Sequence, residues 1–154
     1  MASVKRHVWT LGDGNLYVYQ ENGSGSLVGS DPLFEYCYLE GVTISCKTVL
    51  QRRAITGRGR RKLVNPSNGF DEVRLVCEHI FFRKATELDL TNVFTKGKWL
   101  RLTLPLEDFG YTNVAPFEND TMTLSYCRAS DFQITGREVD VIIATATFEA
   151  EMLY

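Results

Sequence analysis

Hydrophobic and polar residues alternate along much of the chain, and this alternation predicts β-strands. Between Phe34 and Ile55, the apolar residues Val42, Ile44 and Cys46 fall on one side, and the residues between them are polar. Because successive strand side chains point to opposite faces of a sheet, such a segment buries one face and leaves the other wet. The same period of two recurs in residues 72–82, 99–106, 121–129 and 139–152.

Two of these segments make specific predictions about which side chains point inward. In 72–82 the alternation places Cys77, His79 and Phe81 on one face, together with Val73 and Leu75. In 121–129 it places Met122, Leu124 and Tyr126 on one face, against Thr121, Thr123 and Ser125. We therefore expect His79 and Tyr126 to lie on the core side of their strands.

The remaining segments predict a hairpin, a loop and one helix. Val8–Leu11 and Leu16–Tyr19 flank a Gly-rich turn, which favours an N-terminal hairpin. Residues 21–31 are rich in Gly and Ser without a hydrophobic period, so a flexible surface loop or crossing segment is expected. Residues 83–94 are the helix candidate, with Ala85 and Leu88 inward.

Many short strands with at most one helix predict a mainly β fold. Alternating strands must bury their apolar faces against each other, which indicates an antiparallel β-sandwich or barrel with one short flanking helix and a long basic loop. A length of 154 residues, 44% hydrophobic and 23% charged, is typical of a single globular domain spanning 1–154.

The final predicted strand has one apolar and one polar face. Its apolar face carries Ile142, Ala144, Ala146, Phe148, Ala150 and Met152. Its opposite face includes Thr145, Thr147, Glu149 and Glu151 and becomes acidic toward its end. This face is either an ordinary hydrated surface or one that must not adhere to a passing polyanion, since like charges repel.

The strongest local anomaly is a basic segment without any acidic residue between Gly41 and Phe70. Seven of the seventeen basic residues lie there, although the whole chain has a net charge of -2. They are Lys47, Arg52, Arg53, Arg58, Arg60, Arg61 and Lys62. The segment can dock onto an acidic protein surface, bind nucleic acid by neutralising phosphates, or simply form a solvated turn. Residues 56–68 contain no aromatic side chain to stack on bases, which weakens the nucleic-acid interpretation.

The sequence offers no support for catalysis, a cofactor or a metal. The four cysteines are irregularly spaced and form no CxxC or Cys/His cluster, so buried thiols are expected. No GxGxxG or GxxxxGK loop occurs, and the carboxylate pairs at 107–108 and at 118 and 120 lie in polar loops. His79 near Cys77 is expected to be a partly buried structural histidine and not half of a catalytic pair.

No apolar run approaches the roughly 18 residues of a membrane-spanning helix. The first six residues also lack the apolar core of a secretory signal, so we expect a protein made in the cytoplasm, without a membrane or small-molecule partner.

The carboxyl-terminal run DTMTLSYCRASDFQITGREVDVIIATATFEAEMLY resembles the end of phage tail-tube proteins, in which a strand, a Gly-containing turn and a long final strand close the fold. The basic loop, followed by NPSNGFDEVRLVCEHIFFR and a short helical stretch, is similar to the order of loop, strand and helix in that family. The resemblance covers residues 41–154 as an order of elements. A related tail protein, such as a terminator or baseplate ring, stays open.

The resemblance implies a virion tail protein whose copies close into a ring, usually of six. Such rings stack into a hollow tube through which the genome passes, in contact with other tail proteins. The long loop would reach an adjacent subunit or ring, which makes Arg52, Arg53, Arg58, Arg60, Arg61 and Lys62 interface residues. Thr145, Thr147, Glu149 and Glu151 would line the channel, and DNA would be met only in passage.

Two other function classes compete with this one. A nucleic-acid-binding β module or small viral coat protein would use the basic loop to hold phosphates, and its affinity would fall steeply with salt. A small enzyme is the third hypothesis, and no sequence motif favours it.

Overall fold

A computed structural model of the chain describes residues 2–34, 36–54, 61–64, 72–110 and 120–153. Strands follow one another along most of this length. They are β1 (Ala2–Leu11), β2 (Gly14–Asn15), β3 (Tyr17–Gln20), β4 (Cys37–Ala54), β5 (Arg61–Val64), β6 (Glu72–Arg83), β7 (Leu100–Pro105), β8 (Thr121–Arg137) and β9 (Val141–Leu153). A helical segment, 84–95, joins β6 to β7, and a 3-10 turn, Leu106–Phe109, follows β7.

The strands of the described ranges form one sheet in the order β1-β4-β6-β9-β8-β7-β3, and all their pairings are antiparallel. The predicted class, mainly β with one short helix, is confirmed. Of the two arrangements that the sequence left open, a barrel is excluded because the sheet is not closed. Residues 14–20 contact two strands that are far apart in this order, since β2 pairs with β4 and β3 pairs with β7.

One face of the sheet carries the core. Its buried side chains alternate along each long strand, as in Ile142, Ala144 and Ala146 of β9, and they belong to a single cluster with Leu90, Val93 and Phe94 of the helical segment. Phe94 packs between the rings of Phe82, Phe132 and Phe148, with centroid distances of 5.9, 4.7 and 5.6 Å. The helical segment therefore covers the middle of this face, and we call the opposite face the outer face.

The predicted N-terminal hairpin is wrong. β1 pairs along its whole length with β4, from Ala2 opposite Gln51 to Leu11 opposite Val42, and β3 pairs with β7. Leu11, Leu16 and Val18 are all buried. Long-range pairing places these side chains over the core, which outweighs the local preference of a Gly-rich turn for a hairpin.

A β-bulge reverses the predicted faces of β6 beyond Cys77. Cys77 lies opposite Ala146 of β9 and Ile80 lies opposite Ala144, so two residues of β6 face one residue of β9. Ile80 and Phe82 are consequently buried, whereas His79 is exposed and Phe81 is half-buried. An extra residue in one strand of a pair shifts the alternation by one, and no period in a single sequence marks that position.

A second irregularity moves Tyr126 off the predicted core side of β8. The register between β7 and β8 shifts between Leu100 and Leu102, and Tyr126 has a φ of 51°. Ser125 and Cys127 are buried in its place, and the Tyr126 ring is half-buried. In β6 and in β8 alike, a bulge shifts by one residue the alternation of the side chains that face the core.

The predicted helix at 83–94 is confirmed as the segment 84–95, but its inward face differs. A 3-10 turn at Lys84–Thr86, an α-helical turn at Glu87–Leu90 and a π-helical turn at Thr91–Thr95 follow one another. Leu88 is 74% exposed and Ala85 is exposed, whereas Leu90, Val93 and Phe94 are buried. The number of residues per turn changes along this segment. Its buried side chains therefore lie at other positions than a uniform 3.6-residue period predicts.

Candidate functional site: the outer sheet face and the basic arm

The basic segment forms a two-stranded arm at one end of β4. Residues 51–54 of β4 pair with residues 61–64 of β5, and we call these eight residues the arm. β1 ends its pairing with β4 at Gln51, and β6 ends its pairing at Lys47. Among the described strands, residues 52–54 therefore have β5 as their only neighbour, so the arm extends past the rest of the sheet.

The arm contains four of the six predicted interface residues: Arg52, Arg53, Arg61 and Lys62. The other two, Arg58 and Arg60, lie outside the described residues. The predicted long loop is thus in part a strand pair, which gives the four cations fixed backbone positions. The sequence did not predict this strand, because residues just before it, such as Gly57 and Gly59, favour turns.

The four predicted channel residues share the outer face of β9, as the alternation indicated. Thr145 and Thr147 are half-buried, and Glu149 and Glu151 are exposed. In the registers with β6 and β8, Glu149 lies opposite both Arg74 and Arg128, and Thr147 lies opposite both Val76 and Asp131. The face is hydrophilic, but its charges are of both signs.

A ladder of ion pairs crosses this face from β4 to β9. Lys47 Nζ lies 4.0 Å from Glu72 Oε2, Glu72 Oε1 lies 3.9 Å from Arg74 Nη2, and that guanidinium donates to Glu149 Oε1 at 2.9 Å. Each partner is about a third to a half exposed, so each pair is worth at most about 1 kcal/mol. The ladder neutralises Glu149, and the predicted acidic surface is therefore only partly acidic.

An aromatic and cationic cluster lies beside this ladder, where β8 bulges. The Arg128 guanidinium carbon lies 3.7 Å from the centroid of the Trp99 ring, and Tyr126 meets the same ring edge-on at 6.3 Å. These three residues line a shallow depression together with Glu149, Ala150 and Glu151. Sequence reasoning missed the cluster, because its members come from separate segments that only the fold brings together.

A buried ion pair fixes the turn beneath this cluster. Glu21 is 2% exposed, its Oε1 accepts from Arg101 Nε at 3.1 Å, and its Oε2 accepts from the Tyr126 backbone N–H at 3.4 Å. Arg101 also donates to the Gly25 carbonyl at 2.7 Å, and Asn22 Oδ1 accepts from the backbone N–H groups of Ser24 and Ser26. The segment predicted as a flexible loop thus contains, at 21–27, a hydrogen-bonded turn.

The cysteines and histidines do not combine into a reactive centre. Burial raises the pKa of the Cys37 and Cys46 thiols to about 12, and it raises the pKa of Cys77 and Cys127 further. The β6 bulge separates buried Cys77 from exposed His79. Thiols with raised pKa values hold their protons at neutral pH and are poor nucleophiles.

Within the described ranges, no three His, Cys, Asp or Glu side chains are grouped so as to hold a metal ion. No described helix is long and apolar enough to span a bilayer. No protein family matches the chain, and neither does any curated protein or solved structure. The resemblance to tail-tube proteins therefore stays a prediction from the order and type of its elements.

Proposed function

We propose that the chain is a structural protein that assembles with copies of itself into rings, six to a ring in the resembled family, stacked as the tail tube of a phage. The observation that carries the proposal is the arm. Its strand pair extends past β1 and β6, and it concentrates cations in a chain whose net charge is -2. A projecting strand pair of this kind suits a contact with a neighbouring subunit.

The open sheet supports the same proposal. β1 and β3 stand at the two ends of the strand order, and no described strand lies on their outer sides. A long edge strand invites pairing with another chain, and a closed ring of subunits satisfies every such edge at once. The ten residues of β1 provide the longer of these two edges.

The outer face of β9 would then line the channel. Thr145 and Thr147 with Glu149 and Glu151 give it a wet surface, and the ion-pair ladder leaves it without a strong excess of positive charge. Such a surface lets DNA pass without holding it, because phosphate binding needs clustered cations. The protein would be made in the host cytoplasm and function in the virion, with other tail proteins as partners.

The test is a charge reversal in the arm, Arg53→Glu/Arg61→Glu, compared with Lys96→Glu/Lys98→Glu, whose two lysines are exposed and lie outside the arm. Sedimentation velocity should show large assemblies for the wild type and the control and smaller species for the arm variant. Urea unfolding should be similar for all three, since none of the altered residues belongs to the core cluster. Equal assembly of the arm variant and the control would remove the arm from the interface.

The second candidate function is a nucleic-acid-binding module or small coat protein, and the Trp99 cluster favours it. Bases stack on aromatic rings, and Trp99, Tyr126 and Arg128 supply two rings and a cation within one depression. Glu149 and Glu151 line the same depression and oppose a phosphate backbone. A monomer that binds single-stranded DNA with quenching of Trp fluorescence and a steep loss of affinity in salt would favour this function.

A further inference from the structure

The outer face of the sheet changes character at the β6 bulge. On the side of Cys77 that carries the ion-pair ladder, the outer residues of β4, β6 and β9 are charged, or are Ser, Thr and Val. On the other side, Tyr38 lies opposite Phe81, and Phe81 lies opposite Ile143, so an apolar row crosses β4, β6 and β9. The ring centroids of Tyr38 and Phe81 are 6.1 Å apart.

This end of the face is accessible. Tyr36 is 44% exposed and His79 is exposed, whereas Tyr38, Phe81 and Ile143 are half-buried. We call Tyr36, Tyr38, His79 and Phe81 the aromatic patch. Aromatic side chains on a sheet surface that no described element covers are typical of a contact with another macromolecule.

The edge of the aromatic patch is acidic. The Asp13 carboxylate lies close to the Tyr38 hydroxyl, and Glu40 lies opposite His79 in the register of β4 and β6. The Glu78 carboxylate lies over Gly41, next to Glu40 in the chain. Arg83 and Lys84 line the groove beside Tyr36, together with Asp140. The carboxylates of Asp13, Glu40 and Glu78 suit a basic partner.

The arm lies at the opposite end of the same strand. Arg53 lies thirteen positions after Glu40 in β4, and at about 3.3 Å per residue this is about 40 Å. An arm that far along a continuous strand cannot fold back onto the patch of its own chain. It can reach the patch of a second copy placed end to end.

We propose that the aromatic patch with its acidic edge, formed by Asp13, Glu40 and Glu78, is the docking site for the basic arm of a second copy of this chain. The inference rests on the proposed function, because it requires self-assembly, and it names the surface that receives the arm. Stacking of aromatic rings against guanidinium groups and pairing of carboxylates with arginines supply the attraction. The contact is heterologous, since one end of the molecule meets the other, and it therefore propagates along an axis.

The first test is a photo-cross-link. A benzophenone side chain is placed at Tyr36 and, as the control, at Val28, which is 49% exposed on the 21–31 segment. The assembled protein that carries the probe is irradiated and digested with a protease that does not cleave at arginine. The cross-linked peptides are then sequenced by mass spectrometry. The position-36 probe should attach to residues 51–64 of another copy, and the position-28 probe should not. Attachment of the position-36 probe to any other region would overturn the proposal.

The second test is a charge exchange between the two ends. Glu40→Arg/Glu78→Arg alters the patch, Arg53→Glu/Arg61→Glu alters the arm, and each variant alone should self-associate at least about tenfold more weakly than the wild type. A mixture of the two should associate again, because each variant has a partner of opposite charge for both of its ends. Circular dichroism and urea unfolding confirm that each variant is folded.

These outcomes separate the two proposals. A wild-type protein that stays monomeric at every concentration contradicts self-assembly and the docking site together. A wild type that assembles, beside a patch variant that assembles equally well, contradicts the docking site alone and leaves the proposed function standing.

Discussion

Glu21 is the buried charge on which the turn at 21–27 depends. Its side chain is 0% exposed, and its partner Arg101 is 22% exposed. The carboxylate joins three separate segments, since it also accepts from the Tyr126 backbone N–H beside the β8 bulge. The attraction within a buried ion pair is largely offset by the cost of removing both charges from water, so the intact pair adds little to stability. Removing one partner, however, leaves a buried charge uncompensated.

Arg101→Met should therefore lower the free energy of unfolding by about 3 kcal/mol in urea denaturation, because it leaves the buried Glu21 carboxylate without an opposite charge. Glu21→Gln/Arg101→Met should recover part of that loss, since the amide keeps an acceptor for the Tyr126 N–H without a charge. A single variant as stable as the wild type would show that Glu21 has another compensating partner.

The four buried thiols should make the folded protein less stable as the pH becomes alkaline. The pKa of Cys37 and Cys46 rises from 9.0 to about 12 on folding because of burial. The folded state thus keeps protons that the unfolded state releases, so the stabilisation is complete below pH 9 and is lost as the pH rises from 9 toward 12. The free energy of unfolding should fall by about 1.4 kcal/mol per pH unit for each thiol in that range.

Cys37→Ala/Cys46→Ala should show a shallower fall over the same pH range, whatever its stability at pH 7, because two of the four thiols no longer titrate. Urea midpoints measured from pH 8 to pH 11 test this. Identical slopes for the variant and the wild type would mean that other groups cause the alkaline loss.

At the scale of elements, the β6 bulge and the Gly41 position opposite it separate the ion-pair ladder from the aromatic patch on the outer face. Gly41 has a φ of +80°, and a Cβ there would lie 2.6 Å from Glu78 Oε2. Side chains other than glycine reach that φ only with strain.

Gly41→Ala should cost about 1–2 kcal/mol in urea denaturation. Gly12→Ala is the matched control, since a Cβ at Gly12 meets nothing within 4 Å, and it should change stability by less than about 0.5 kcal/mol. Equal effects of the two substitutions would contradict a strained backbone at Gly41.

Elements with a strict period were predictable from the sequence, and departures from the period were not. β9 and β7 keep one alternation throughout, and the residues predicted inward, such as Ile142 and Leu102, are buried. His79 and Tyr126 were placed on the wrong face because a bulge shifts the alternation by one residue. The pairing of β1 with β4 depends on partners distant in the chain, which local patterns do not encode.

The candidate site was predictable in part for the same reasons. The outer position of Thr145 and Glu149 follows from the period of two. The ion-pair ladder that neutralises Glu149, the Trp99 cluster and the aromatic patch each combine residues from several strands, so they become visible only when the register is known.

At the scale of the whole molecule, the two ends of β4 carry different chemistry. The arm with Arg52, Arg53, Arg61 and Lys62 stands at one end of β4, and the aromatic patch with Asp13, Glu40 and Glu78 stands at the other. The strand order leaves β1 and β3 at the margins of the sheet. Lateral edges and complementary ends are what a subunit requires to close a ring and to stack rings.

Electron microscopy of the purified protein over a range of concentrations tests self-assembly most directly. We predict rings with a central opening, and short stacks of rings as the concentration rises. Single particles of monomer size at every concentration, with a matching sedimentation coefficient, would contradict the account.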